Sequence, residues 1–157
     1  MKRKEKNEWF RKEFSSIHYK IKNQDKLLYE DFLRIRNYKL QNSSTESVEQ
    51  IELITKEAFK LAENGDIKSA IKKLDELEGV AIPVASAILA MKYPDQLAII
   101  DRRVIEELEQ GEKFKDYIKN IDVYLEYLKI LKSKAKELGL SLRECEIRLF
   151  EQNQKRK

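Results

Sequence analysis

The sequence predicts an all-α fold. Apolar residues recur at helical spacing along nearly the whole chain, and no stretch alternates with the two-residue period of a strand. Capping residues and glycine stops punctuate the periodic stretches where helices would begin and end. A first helical stretch carries Trp9, Phe10, Phe14 and Ile17 on its apolar side, and a second repeats Leu27, Leu28, Phe32 and Ile35. Ser43 with Glu46 reads as a capping box opening a third helix, whose core face is Val48, Ile51, Ile54 or Thr55, Ala58 and Leu61. Asn64-Gly65 closes it, since both residues tolerate the left-handed conformation of a C-cap. A fourth helix over 66–77 sets Ile67, Ala70, Ile71 and Leu74 on one side; a fifth runs over 83–91 and a sixth over 102–108. Residues 113–138 place Phe114, Tyr117 or Ile118, Ile121, Leu125, Leu128 and Leu131 on one face, predicting one long helix that Gly139 ends. Ser141 with Glu144 opens the last, bearing Leu142, Cys145 and Leu149.

Composition narrows the class. At 157 residues, with no linker or repeat, the chain predicts a single compact domain over 1–157 with a core of useful size, in one body or two lobes. An apolar fraction of 41% is too high for a disordered chain. One Cys excludes a disulfide framework, a Cys-rich zinc ribbon and a Cys-ligated iron–sulfur cluster, and no disulfide-linked partner is expected. His18, the only His, has no companion with which to hold zinc, so no metal site is expected. The longest apolar run, Val80 to Met91, is too short to span a bilayer, and no apolar segment follows the basic N-terminus as in a secretory signal. The expectation is a soluble cytoplasmic protein without a membrane partner. Its net charge of +4 is uneven: residues 1–41 hold 12 Lys/Arg against 6 Asp/Glu, residues 42–82 hold 5 against 9, and residues 83–157 hold 15 against 13. A basic first third permits an anionic partner such as nucleic acid.

The informative segment is Leu74-Asp-Glu-Leu-Glu-Gly-Val-Ala-Ile-Pro-Val-Ala-Ser-Ala-Ile-Leu-Ala-Met91. One helix ends near Leu77, a tight turn uses Gly79 to reach positive φ, and a new helix starts with Pro83 at its first turn. Ala85, Ser86, Ala87 and Ala90 are small enough for close helix approach. Residues 66–91 therefore read as a helix–hairpin–helix, or equally as a plain αα-hairpin. In the first reading, backbone N–H groups over Gly79, Val80, Ala81, Ile82 and Val84 face a phosphate without reading sequence.

The continuation Tyr93-Pro94-Asp95-Gln-Leu-Ala-Ile-Ile-Asp101-Arg-Arg-Val-Ile-Glu-Glu-Leu108 sets an Asp-bearing loop and helix over 92–108. Together with Leu77-Glu-Gly-Val-Ala81, it resembles the helix–hairpin–helix DNA glycosylase superfamily. There the hairpin reads roughly Leu-x-Gly-Val-Gly-x-Lys-x-Ala and an Asp follows a Pro and a short apolar stretch; here Gly79 and Asp101 lie 22 positions apart, matching that spacing. The resemblance covers residues 66–108. A weaker likeness upstream, in Phe32-Leu-Arg-Ile-Arg-Asn-Tyr-Lys39 and in 48–59, is to a compact branch of this fold with an aromatic–Lys pair.

The resemblance implies a two-lobed helical protein that binds double-stranded DNA, nucleoid-associated when bound, and flips a damaged or mispaired base into a pocket for excision. Asp101 takes the position of the carboxylate that stabilises an oxocarbenium-like transition state; as a bare residue it equally caps the helix at Arg102. Lys39 is a candidate DNA contact, and Arg102 and Arg103 are candidate phosphate contacts, one of which instead pairs with Glu106 or Glu107. Tyr93, Tyr38 and Trp9 are candidates for stacking on the base or wedging the duplex, Tyr93 foremost. The resemblance also implies a monovalent cation on the backbone carbonyls of 77–82, and no other cofactor. Two departures stand out. The second hairpin Gly is Ala81, and members that also cut the backbone carry a Schiff-base Lys where this chain has Pro83. Hydrolytic base removal survives that loss and the usual β-lyase route does not, unless the amine has moved to Lys39 or Lys92. Two other readings compete: a DNA-binding module that has lost catalysis, and a helical protein-interaction protein.

Overall fold

The computed structural model describes residues 2–39 and 46–156. They form eight helices and no strand: α1 (Arg3–Ile21), α2 (Tyr29–Lys39), α3 (Val48–Glu63), α4 (Ile67–Leu74), α5 (Ile82–Lys92), α6 (Arg102–Glu107), α7 (Ile121–Leu138) and α8 (Leu142–Lys155). The all-α class is as the periodicity predicts. None of these helices is long and apolar enough to cross a membrane.

Helix ends follow local chemistry. Ser47 caps α3 by accepting from Gln50 N–H, Asp66 caps α4 by accepting from Ser69 N–H, and Ser141 caps α8 by accepting from Glu144 N–H. Gly65 and Gly139 adopt the left-handed conformation after α3 and α7. Three boundaries differ from the sequence reading. The cap of α3 is Ser47, with Ser43 outside the described residues, and Glu46 instead accepts from Ser47 and Glu78 N–H groups at 3.0 Å. α4 stops at Leu74, and Asp75 to Ala81 form the turn. Residues 111–119 are successive turns, because Asn120 accepts from Asp122 N–H and starts α7 only there; Phe114 keeps helical spacing yet is buried from a turn.

The core is organised around α5. Every residue of this helix except Pro83 is buried, so its sequence shows no polar stripe. α1, α2 and α4 pack on it, which the small Ala85, Ser86, Ala87 and Ala90 allow. Two polar links fix α1: His18 Nδ1–H donates to the Met91 carbonyl at 2.7 Å, and Lys92 Nζ donates to the carbonyls of Ile21 at 3.0 Å, Lys22 at 2.9 Å and Gln24. A cation on the last carbonyls of a helix is favourable there, and burial pushes the Lys92 ammonium below its usual pKa. α7 and α8 pack against each other, and α8 also packs against α6. Cys145, on the inner face of α8, is fully buried.

Between α5 and α6 runs an irregular and buried segment, Leu97 to Ile100. Unpaired backbone there would be costly. Side chains of four helices meet it: Tyr124 O–H donates to the Ala98 carbonyl at 2.9 Å and Tyr127 O–H to the Ile99 carbonyl at 2.8 Å. Glu146 accepts from Ile99 N–H at 2.8 Å, Ser86 Oγ accepts from Ile100 N–H at 3.0 Å, and Lys39 donates to the Ile100 carbonyl at 3.3 Å. Tyr127→Phe leaves the buried Ile99 carbonyl unpaired, and denaturant unfolding is expected to show a loss of about 1–3 kcal/mol.

The α1–α2 corner depends on Asp31, buried in the first turn of α2, which accepts from Lys20 Nζ, Gln24 Nε2 and Leu28 N–H at 3.0 Å each. Burial opposes its ionisation, but these donors outweigh it and hold the carboxyl below its usual pKa. Its contribution is therefore present above the unfolded-state value and lost as pH falls through the folded one. Asp31→Ala is expected to lower stability by roughly 2–3 kcal/mol at neutral pH. In urea titrations the gap to wild type narrows only below about pH 4.

Candidate functional site

Asp101 stands where the pinned segment turns into α6. Its backbone is extended, and its Oδ1 accepts from Arg103 N–H at 2.8 Å, so it is the cap of α6. Its Oδ2 accepts from Lys39 Nζ at 3.1 Å. The pair is sheltered, with side-chain exposures of 14% for Lys39 and 25% for Asp101. Both line a cavity of about 380 Å³, a size typical of small-molecule pockets.

Four parts of the chain wall this cavity. Lys6, Asn7, Phe10 and Arg11 come from α1; Tyr38 and Lys39 end α2; Ile99, Asp101, Arg103 and Val104 come from the α6 entry. The opposite wall is α8, through Arg143, Glu146, Ile147 and Phe150, with Glu151 and Gln154 a turn further on. Phe10, Tyr38 and Phe150 give it aromatic surface, and the Arg103 guanidinium lies over Phe150, 5.0 Å from the ring centre. Arg143 stacks on Phe14 at 3.7 Å, donates to Tyr38 Oη at 3.2 Å and pairs with Glu146. Burial pushes the Glu146 carboxyl up, against the pull of Arg143, the Ile99 N–H and Lys39. Burial also raises the Tyr38 hydroxyl. At the rim, Asn7 Nδ2 donates to Gln154 Oε1 at 2.9 Å and Arg11 bridges Glu144 and Glu151.

Of the sequence candidates, the structure brings together Asp101, Lys39, Arg103 and Tyr38. Trp9 does not line the cavity; it is 40% exposed and stacked on Tyr38 with ring centres 6.2 Å apart. Arg102 points to solvent and pairs with Glu106 at 3.7 Å. Tyr93, the foremost stacking candidate, lies elsewhere: its hydroxyl is 3.2 Å from both the Phe59 carbonyl and the Glu63 carboxylate, and its ring meets Phe59 edge-on. It is thus a packing residue beside Lys92, whose amine is spent on the end of α1. The α8 wall was not foreseen. Its signal was Arg143, Glu146 and Phe150 at helical spacing beside the Leu142–Cys145–Leu149 face, which in sequence looks like an ordinary solvated edge.

The turn between α4 and α5 holds Gly79 exposed at φ +76°, as its residue type predicts. Val80, Ile82 and Val84 are buried by their side chains, so any outward contact there is through backbone; Ala81 is half-buried. Behind the turn lies Arg36 of α2, 3% exposed, with Nε and Nη1 lacking a hydrogen-bond partner among the described residues. A Cβ on Gly79 would sit 2.5 Å from its Nη2. This guanidinium bears on the monovalent cation expected at 77–82. The turn already has a fixed positive charge against it, and its Leu77 and Ala81 carbonyls accept from Val80 and Ala85 N–H groups. Like charges a few ångströms apart in a sheltered site repel, so these residues do not fit a metal cation. No cluster of three or more His, Cys, Asp or Glu side chains suited to a metal occurs among the described residues.

Arg36 and Lys39 are three positions apart on one face of α2, and they touch Gly79 and Asp101 respectively. The chain matches no protein-family model, no curated protein and no solved structure. Gly79→Ala is expected to cost about 1–2 kcal/mol from positive φ and a further 1 kcal/mol or more, roughly, from overlap with Arg36. In an Arg36→Ala background only the first part remains, so a double-mutant cycle by thermal unfolding is expected to show coupling above about 0.5 kcal/mol.

Proposed function

We propose that this protein binds duplex DNA and excises a damaged or mispaired base by hydrolysing its N-glycosidic bond. The observation that carries the reading is Asp101, a carboxylate fixed by the Arg103 N–H and by Lys39 in the wall of a cavity with aromatic surface and a cationic rim. In this reading the α4–turn–α5 unit acts as a helix–hairpin–helix, and the cavity is the cleft between two lobes. The exposed turn at Gly79 meets a backbone phosphate, with Arg36 beneath it adding positive charge. Lys6, Arg11 and Arg103 draw the strand to the mouth of the cavity. A base turned out of the stack enters between Phe10, Tyr38 and Phe150, whose faces accept any base without reading its edge.

Cleavage of the glycosidic bond develops positive charge on the sugar. A preorganised carboxylate stabilises that charge without reorganising. Asp101 is held at both oxygens, so it is already in place when the sugar arrives. The water that attacks C1′ supplies the new C–O bond, and the base leaves with the electron pair of the broken C–N bond and a proton.

The test has two parts. Duplexes each carrying one lesion or mismatch are incubated with the protein, and abasic sites are revealed by alkaline cleavage. A parallel gel shift at rising salt checks that affinity falls steeply, as phosphate contacts require. Asp101→Asn keeps the cap, since Asn and Asp rank together there, and loses a sheltered ion pair, so stability is expected to change by no more than about 1 kcal/mol. Its excision rate is expected to fall roughly 100- to 1000-fold with DNA affinity held or slightly raised. Excision of no base by wild type, with binding intact, leaves the DNA-binding module without catalysis; loss of binding as well leaves the protein-interaction reading.

A further inference from the structure

We infer that the cavity is a binding site for a nucleoside 5′-monophosphate, with the phosphate monoester against Arg103 and Lys6 and the base on the aromatic wall. The inference stands on the cavity alone and needs neither duplex binding nor excision. Five cationic side chains line it: Lys6, Arg11, Lys39, Arg103 and Arg143. Three of them face carboxylates, Lys39 with Asp101, Arg143 with Glu146, and Arg11 with Glu144 and Glu151. The charged ends of Arg103 and Lys6 have no carboxylate or hydrogen-bond partner among the described residues. Each lies on a ring instead, Arg103 over Phe150 at 5.0 Å and Lys6 near Phe10 at 6.0 Å from the ring centre. The walls therefore hold two positive charges that nothing in the structure offsets, and an anion is the ligand they call for.

Charge and shape narrow the class of anion. A phosphate monoester carries about two negative charges at neutral pH and three strong acceptor oxygens, whereas an internal phosphodiester carries a single charge. The planar fork of Arg103 donates to two of those oxygens together, and its stacking on Phe150 holds it ready. Lys6, exposed on a long stem, supplies the second charge. The body attached to the phosphate must be flat, because the apolar wall is Phe10, Tyr38 and Phe150 with Ile99, Val104 and Ile147. One polar atom bears on which base is taken. Asn7 spends its Nδ2 on Gln154 Oε1 at 2.9 Å and leaves its buried Oδ1 without a partner. An unpaired buried acceptor is costly. An exocyclic amino group, present on adenine, guanine and cytosine and absent from thymine, supplies the missing donor. A cavity filled in this way has no room for a base turned out of a duplex, so in the base-excision reading the nucleotide is a competitive inhibitor.

The test titrates the full chain by calorimetry with adenosine 5′-monophosphate, adenosine, inorganic phosphate, the methyl phosphodiester of the same nucleotide, and thymidine 5′-monophosphate. The adenosine monophosphate is expected to bind one per chain, and adenosine, phosphate and the methyl diester at least about tenfold more weakly. Thymidine monophosphate is expected to bind more weakly than the adenosine nucleotide; equal binding overturns the role given to Asn7. Arg103→Gln, which keeps the backbone N–H that Asp101 accepts, is expected to weaken binding at least about tenfold at unchanged melting temperature. Lys6→Gln, at an exposed position where folding is not at stake, is expected to weaken it about three- to fivefold. Lys60→Gln removes the same charge from α3, outside the cavity wall, and is expected to change nothing. A 5′-phosphorylated single-stranded oligonucleotide, compared with its 5′-hydroxyl twin, separates the two sources of this group. Binding of the mononucleotide alone assigns the site to free nucleotides, and preference for the phosphorylated strand as well extends it to strand ends. Absence of mononucleotide binding, affinity no higher than for inorganic phosphate, or an equal loss in Lys60→Gln overturns the site. Excision, read separately on lesion duplexes, is untouched by any of these results.

Discussion

The interaction on which the rest of the structure depends is the satisfaction of one irregular buried stretch of backbone. From Leu97 to Ile100 the chain is irregular and buried, and the polar groups of Ala98, Ile99 and Ile100 are met by Tyr124, Tyr127, Glu146, Ser86 and Lys39. These come from α7, α8, α5 and α2, so a single four-residue segment ties together helices far apart in sequence. Buried polar groups of this kind specify one arrangement more sharply than apolar packing does, because each partner is needed to avoid an unsatisfied donor or acceptor. Asp101 follows directly, and its position is inherited from that lattice of bonds. The same side chains build the cavity: Glu146 and Lys39 each serve the segment and the wall at once.

Much of the fold was legible because its signals are local. Asp66, Ser141, Gly65 and Gly139 act through their own or adjacent backbone, so their residue types suffice to place helix ends. Asp101 was legible for the same reason: an Asp preceding Arg-Arg-Val-Ile is a cap whatever else it does. The stretch 113–119 misled because Phe114, Tyr117 and Ile118 hold helical spacing by coincidence of a turn burying one aromatic, and only Asn120 marks the true start. The composition of α5 disclosed burial but no direction, since a helix covered on every side has no stripe to point with.

The site was harder to read, and the reason is physical. Tyr93 drew notice by standing after a helix in front of a loop, but its hydroxyl found Phe59 and Glu63, and nothing in its neighbours' identities announces that. Arg143 and Glu146 look like a solvated i,i+3 pair until α1 and the pinned segment cover them. Arg36 is the extreme case: a guanidinium normally signals surface, and here it is packed beneath a glycine turn. Charged residues become informative only once the tertiary contacts are known, whereas Gly, Pro and caps are informative before.

Cys145 gives the molecule a built-in reporter. Its sulfur is fully buried on α8, and burial raises its thiol, so the native state protects it from electrophiles. It is also the chain's one thiol, which makes any alkylation signal unambiguous. Because Cys145 lies on the core face of α8 and not in the cavity lining, the rate at which a maleimide or disulfide reagent marks the unaltered protein reports how often α8 lifts from the core. The opening frequency of this packing is thereby accessible without an engineered label or a known ligand.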